Sequence, residues 1–139
     1  MKKLIYIFFV ILAYSATSSA QIVIIAHKNV PVDTIKRTEI LNFYVLDIKS
    51  WKDGTSVVVF DLKPKDRAKK VFYDYLGKST SRMKSIWMKK LLSGEGNPPE
   101  ALNTEEEMLK KVAATPGAIG FVSNLKVNDK VKILLAIEE

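Results

Sequence analysis

Short apolar runs alternate with amphipathic helical segments along this chain. The runs are rich in β-branched residues, which indicates strands buried on both faces of a sheet. They span residues 22–26, 57–60, 118–122 and 131–137. An order in which buried strands alternate with helices is typical of a layered α/β domain. We therefore predict one α/β domain whose sheet is covered by helices on both faces.

The helices are marked by the spacing of their apolar residues. The clearest stripe recurs at i, i+3, i+4, i+7 and i+8 and stops at Gly77. It consists of Ala68, Val71, Phe72, Tyr75 and Leu76. An earlier helix is predicted from a cap at Asp33 or Thr34 through about Phe43.

Two more helices are predicted in the second half of the chain. The first carries Met83, Ile86, Trp87 and Leu91 on one stripe. Residues 94–100, with two glycines and two prolines, predict a loop. A capping box over residues 104–107 then begins a helix that stops before Pro116.

The first twenty residues have the composition of a signal peptide. Lys2 and Lys3 precede an uncharged apolar run over residues 4–14, and Ser18 and Ala20 fit a signal-peptidase site. The run is too short for the roughly 20 residues of a spanning helix, although an uncleaved anchor is the alternative. The chain has no cysteine, hence no lipid anchor on a cysteine and no disulfide. We predict a signal peptide at 1–20, a mature domain at 21–139 without a membrane anchor, and a periplasmic or secreted location.

Cleavage is expected between Ala20 and Gln21. The small side chains at positions 18 and 20 fit the −3 and −1 pockets of the peptidase. Intact-mass measurement on protein isolated from the cell envelope checks this expectation. A mass that still includes residues 1–20 would contradict it.

Charge and composition exclude several function classes. Without the signal peptide, the chain has 20 basic and 15 acidic residues. Because no stripe of basic residues alternates with aromatic residues that could stack on bases, we predict no nucleic-acid binding. His27 is the only histidine, and no phosphate-cradling glycine motif is present. We predict no enzyme activity, no metal and no cofactor. His27 is expected to form a hydrogen bond at a strand end, and Trp51 and Trp87 are expected in the core.

Four stretches together resemble the phosphate-type periplasmic substrate-binding proteins of ABC transporters. Residues 44–51 are similar to the family's Phe-Leu-Gly-Lys-Ile-Thr-Asn-Trp, with Leu46 at the Gly position. Residues 72–76 resemble the family's Phe-x-x-Tyr-Leu helix. Trp87 together with residues 94–99 resembles its Trp…Ser-Gly-x-Gly-x-Pro-Pro stretch. Residues 116–122 resemble its Pro-Gly-Ala-Ile-Gly-Tyr-Val element, the most specific of the set. The resemblance implies a layered single lobe of the type II periplasmic-binding-protein kind, with a mixed sheet flanked by helices.

The Pro-Gly-Ala-Ile-Gly element is expected to be structural. Gly117 follows a helix stop, where left-handed backbone is common, and Gly120 inside a strand indicates close approach of a neighbour.

The resemblance also implies where an anion would bind. In phosphate binders of this family, an Arg shortly before a Ser-Gly-Thr at a helix N-terminus grips the anion. Counted back from Phe72, the Ser-Gly-Thr falls on residues 66–68 and the Arg falls near Asp61. Asp61 and Asp66 therefore bring two carboxylates to the site, where they are expected to repel an anion.

Positive charge nevertheless surrounds these positions. The ligand-binding residues implied by the resemblance are Lys63, Lys65, Asp66 and Arg67. Asp66 is also expected to cap the helix with its own carboxylate. Phosphate binding is therefore expected to be weak, at about millimolar.

Two functions follow as alternatives. The first is an exported substrate-binding-protein-like domain that binds phosphate or a related small oxyanion in association with an ABC transporter. Its site would be completed in a homodimer or by docking on a permease or envelope protein. The alternative is an envelope protein-interaction module that keeps the fold and has lost the anion site. Export and the basic loop favour the first, whereas the two carboxylates favour the second.

Overall fold

A five-stranded mixed sheet with four α-helices forms the part of the chain that the structure, a computed structural model, describes, residues 21–138. The predicted signal peptide lies outside these residues. The elements are β1 (Ile22–Ala26), α1 (Arg37–Tyr44), β2 (Val58–Leu62), α2 (Arg67–Leu76), α3 (Thr80–Leu92), β3 (Glu100–Leu102), α4 (Glu105–Ala114), β4 (Ala118–Ser123) and β5 (Lys132–Ile137). Within residues 21–138, no helix is long and apolar enough to cross a bilayer.

The strand order in the sheet is β3-β2-β4-β1-β5. β2 pairs in parallel with β3 and β4, whereas β1 pairs antiparallel with β4 and β5. The mixed sheet implied by the resemblance is therefore confirmed. The three parallel strands end at Leu62, Leu102 and Ser123, and we call this side of the sheet the carboxyl edge.

Helices cover both faces of the sheet, as the continuous apolar strands predict. On one face, the ring of Phe121 stacks on Phe72 of α2 at 4.1 Å and lies near Tyr44 of α1. On the other face, a Cβ placed on Gly120 would lie 2.5 Å from the sulfur of Met108 in α4. Successive residues of a strand point to opposite faces, so α4 lies across the sheet from α1 and α2. The close approach expected at Gly120 is thus confirmed.

Both tryptophans lie in the core, as predicted. The indole N–H of Trp51 donates to the carbonyl of Gly117 at 2.9 Å, and that of Trp87 donates to the carbonyl of Tyr44 at 2.7 Å. Each buried indole therefore has a hydrogen-bond acceptor, which removes the free-energy penalty of an unpaired donor.

Several element boundaries differ from those predicted from the sequence, most clearly in the first helix, β2 and β3. The first helix begins at Arg37, after Lys36 at the N-cap; the carboxylate of Asp33 instead accepts from Lys132 Nζ at 3.1 Å. β2 begins one residue later than predicted and continues to Leu62. β3, over Glu100–Leu102, begins at the last residue of the predicted loop. The sequence of these three residues shows no strand pattern. They are extended because they pair with β2, not because of a local preference.

Candidate functional site

The carboxyl edge brings two helix N-termini together. α2 begins five residues after the end of β2, and α4 begins three residues after the end of β3. The first N–H groups of a helix have no carbonyl partner within the helix, and its dipole places partial positive charge there. Helix N-termini at the ends of parallel strands are therefore places where an anion can be bound.

Three of the predicted ligand residues lie in the tight turn between β2 and α2, and the fourth, Arg67, is the first residue of α2. The backbone N–H of Lys63 donates to the carbonyl of Leu102 in β3 at 3.0 Å, and that of Asp66 donates back to the carbonyl of Lys63 at 3.1 Å. Lys63, Lys65 and Arg67 are exposed, and Asp66 is half-buried. The structure thus gathers these residues beside the N-terminus of α2, with the basic side chains toward solvent.

Asp66 occupies the helix terminus with its own carboxylate. Its Oδ1 accepts from the backbone N–H of Ala68 at 2.8 Å, and its backbone is extended, as expected for an N-cap residue. The capping role predicted from the sequence is confirmed. The N–H of Ala68, which could otherwise bind an external anion, therefore already donates to the Asp66 carboxylate.

Acidic side chains also take the donors around α4. Thr104 caps this helix by accepting from the N–H of Glu107 at 3.1 Å, and the Glu107 carboxylate accepts from the N–H of Asn103 at 3.0 Å. The Glu105 carboxylate reaches the end of β4 and accepts a hydrogen bond from the N–H of Ser123. Burial raises the pKa of Glu105, and the nearby negative charge of Asp66 adds to that rise. Carboxylates from two helices thus face the carboxyl edge.

Asp61 lies inside the protein and has a cationic partner. Its side chain is only 2% exposed. Oδ2 accepts from the Tyr73 hydroxyl at 2.6 Å and from Lys69 Nζ at 3.2 Å, and Oδ1 accepts from the N–H of Leu62 at 2.8 Å. The repulsion expected between Asp61 and an anion stays a prediction, and the buried ammonium of Lys69, which balances this carboxylate, would weaken it.

Lys69 and Tyr73 are the residues that sequence reasoning missed. Lysine is rarely buried unless it is paired, and Lys69 is only 5% exposed. Burial raises the pKa of the Tyr73 hydroxyl well above its ordinary value, and the charge of Asp61 adds to this rise. The i, i+4 spacing of Lys69 and Tyr73 beside the apolar stripe was the available signal, although only the tertiary structure places Asp61 between them.

The end of β1 carries hydrogen bonds of a structural kind. His27 Nδ1 lies 3.0 Å from the backbone N–H of Asn29, and the side-chain oxygen of Asn29 accepts from the N–H of Gly117 at 3.1 Å. The expected hydrogen bond of His27 at a strand end is confirmed. Within the described residues, no three His, Cys, Asp or Glu side chains are grouped so that they could hold a metal ion.

The described residues have the fold of a lobe of phosphate-type substrate-binding proteins. One similar structure, described as a phosphate ABC transporter substrate-binding protein with bound phosphate, comes from Clostridium perfringens; the TM-score is 0.69 at 20% identity, over 83% of this chain and 44% of that one. For an ABC-type phosphate transport receptor from Vibrio cholerae, the TM-score is 0.68 at 18% sequence identity, over 83% of this chain and 45% of that one. For PstS from Borrelia burgdorferi, the TM-score is 0.63 at 12% sequence identity, over 83% of this chain and 46% of that one.

These likenesses confirm the resemblance at the level of the fold. The chain spans less than half the length of the solved structures that it matches. No family model and no curated protein matches the sequence.

Proposed function

We propose that this chain is an exported substrate-binding lobe of the phosphate type, which presents the N-terminus of α2 and the basic turn over residues 63–67 to phosphate or a related small oxyanion. The observation that supports this most is the shared fold with a protein that was solved with bound phosphate. The lobe would work in the periplasm with an ABC transporter and carry out no chemical reaction.

The site is proposed to be incomplete in one copy of the lobe. The matched proteins are more than twice as long as the segment that this chain covers. The lysines of the turn are exposed to solvent, and the Asp66 carboxylate already accepts from a helix N–H. A second copy of the chain, a permease or another envelope protein would supply the opposite side.

Titration calorimetry with inorganic phosphate tests the site. We expect the mature protein to bind at about millimolar, roughly −4 kcal/mol. Asp66→Asn keeps a good N-cap but removes the charge, and is expected to tighten binding by about fivefold to tenfold, because a like charge near the anion is lost.

Asp74→Asn is the matched control. Asp74 lies on the same helix, two turns from its N-terminus, and pairs on the surface with Lys70. This variant changes the net charge equally but is expected to leave phosphate affinity unchanged. Micromolar binding by the unchanged protein would show that Asp66 does not obstruct the site, and equal gains in both variants would mean that only net charge matters.

A specific observation favours the protein-interaction module as the second candidate. The carboxylates of Asp66, Glu105 and Glu107 accept from backbone donors at the carboxyl edge that could otherwise bind an anion. If neither the mature protein nor Asp66→Asn binds phosphate, this second function replaces the first.

A further inference from the structure

α3 carries an unusual combination of charge and apolar exposure. Its thirteen residues include four basic side chains and no acidic one. Of the six large apolar side chains that are exposed in residues 21–138, three lie on its last two turns. They are Met88, Leu91 and Leu92, exposed by 54%, 43% and 80%.

Met88 and Leu92 point away from the protein, whereas Leu91 lies between their side of the helix and the buried side. Met83 and Trp87 fix α3 to the core, and both are buried. At 3.6 residues per turn, the opposite side of the helix presents Ser81, Ser85, Met88 and Leu92, which we call the outer stripe. Its apolar half, Met88 and Leu92, therefore lies at the carboxyl end of the helix on the solvent-facing side.

Basic residues lie on both sides of the outer stripe. The helical spacing places Arg82 and Lys89 on one flank and Lys84 on the other. All three are exposed and form no ion pair within residues 21–138. Lys90 is different, because Asp47 and Glu95 pair with it at 2.8 and 3.2 Å. A groove of about 780 Å³ borders Arg82, Lys89 and Leu92.

We infer that the outer stripe of α3 docks reversibly on an anionic lipid surface. A helix with an apolar stripe between basic flanks lies in the plane of a membrane interface, with its apolar side chains among the headgroups. A flat negatively charged surface can contact both flanks at once, which a narrow partner on one side cannot. Few side chains are involved, so the contact is shallow and sensitive to salt.

This inference is independent of the phosphate site, because α3 contributes none of the residues of the turn over 63–67. It adds a way for the lobe to stay close to a membrane while no helix of the described part crosses it.

Vesicle co-sedimentation of the mature protein tests the inference. Vesicles with about 30% phosphatidylglycerol in phosphatidylcholine, at low ionic strength, are expected to bind at least tenfold more protein than pure phosphatidylcholine vesicles. Binding is expected to fall at about 0.5 M salt, where electrostatic attraction is screened.

A matched pair of substitutions locates the contact. Leu92→Glu is expected to reduce binding by about tenfold or more, because it removes an inserted apolar side chain and adds negative charge. Leu125→Glu adds the same charge at a leucine that is similarly exposed, 90% accessible, and lies outside α3. This control variant is expected to bind the anionic vesicles less than about twofold more weakly than the unchanged protein. Both positions are exposed, so both variants should fold.

A second pair tests the basic flank. Lys89→Ala is expected to weaken binding by roughly fivefold, whereas Lys130→Ala, in the exposed turn before β5, changes it little. Equal losses within either pair would show attraction by net charge alone and overturn the inference. Absence of binding to the anionic vesicles would also overturn it, and would make an acidic protein surface the better match for this face.

Discussion

Asp61→Leu is expected to lower the free energy of unfolding by about 3–5 kcal/mol, the usual loss when one partner of a buried ion pair is removed. Leucine keeps the branched arrangement of non-hydrogen atoms, but it leaves the buried ammonium of Lys69 without its carboxylate. The Tyr73 hydroxyl and the Leu62 N–H lose their acceptors as well. Urea denaturation followed by circular dichroism measures the loss.

A double-mutant cycle tests the cause. Lys69→Met alone is expected to be destabilising, but Asp61→Leu with Lys69→Met should lose less than the two single variants added together, because no orphan charge remains. The surface pair of Lys70 and Asp74, with side chains 79% and 68% exposed, is the control; Asp74→Leu is expected to change stability by less than about 1 kcal/mol. Additive losses in the buried cycle would show that Asp61 and Lys69 do not stabilise each other.

Gly117→Ala is expected to lower the free energy of unfolding by about 2–5 kcal/mol, the sum of backbone strain and overpacking. Gly117 has φ of +79°, and a Cβ placed on it would lie 2.1 Å from the carbonyl oxygen of Ser56. Relief of that overlap would move the carbonyl that accepts from the Trp51 indole and the Val58 N–H. Thermal and urea unfolding measure the effect.

Gly54→Ala separates the two contributions. Gly54 also has a positive φ, +90°, but no atom lies within 4 Å of the position of its Cβ. Its substitution is expected to cost only the left-handed strain, about 1–2 kcal/mol. If both variants lost the same stability, the contact with Ser56 would not restrict position 117.

Local patterns predicted the helices because the determinants of each lie within one segment. The stripe from Ala68 to Leu76 places Phe72 against the sheet, and Gly77 ends the helix in left-handed backbone at φ 72°. Asp66 caps the same helix from one residue before its start. These features need only neighbours along the chain, so a single sequence suffices to predict them.

Features that depend on pairing between distant segments were not predictable in this way. β3 is extended because β2 lies beside it, and Glu105 meets Ser123 only because α4 packs beside the end of β4. Asp61 and Lys69 are eight residues apart and on different elements. The resemblance placed Asp61 correctly beside the turn but could not show that a lysine would neutralise it.

At Leu46 the sequence departs from the pattern of the family that it resembles. It is the one non-glycine residue of 21–138 with a positive φ, 66°, and stands where the family has glycine. Its side chain packs on the core and over Gly96. Apolar contact therefore offsets a backbone strain that glycine would avoid.

The two ends of the described segment lie side by side in the sheet. Ile22 faces Ile137 across the antiparallel pair of β1 and β5, and the side chain of Gln21 donates to Glu138 at 3.3 Å. A mechanical pull between these ends would peel β5 from β1 one rung at a time rather than shear all rungs together. Ile22 also pairs with Ser123, the residue that the Glu105 carboxylate binds. The rung that would open first under tension, Ile22 with Ile137, is therefore adjacent to the pair that holds Ser123 at the carboxyl edge.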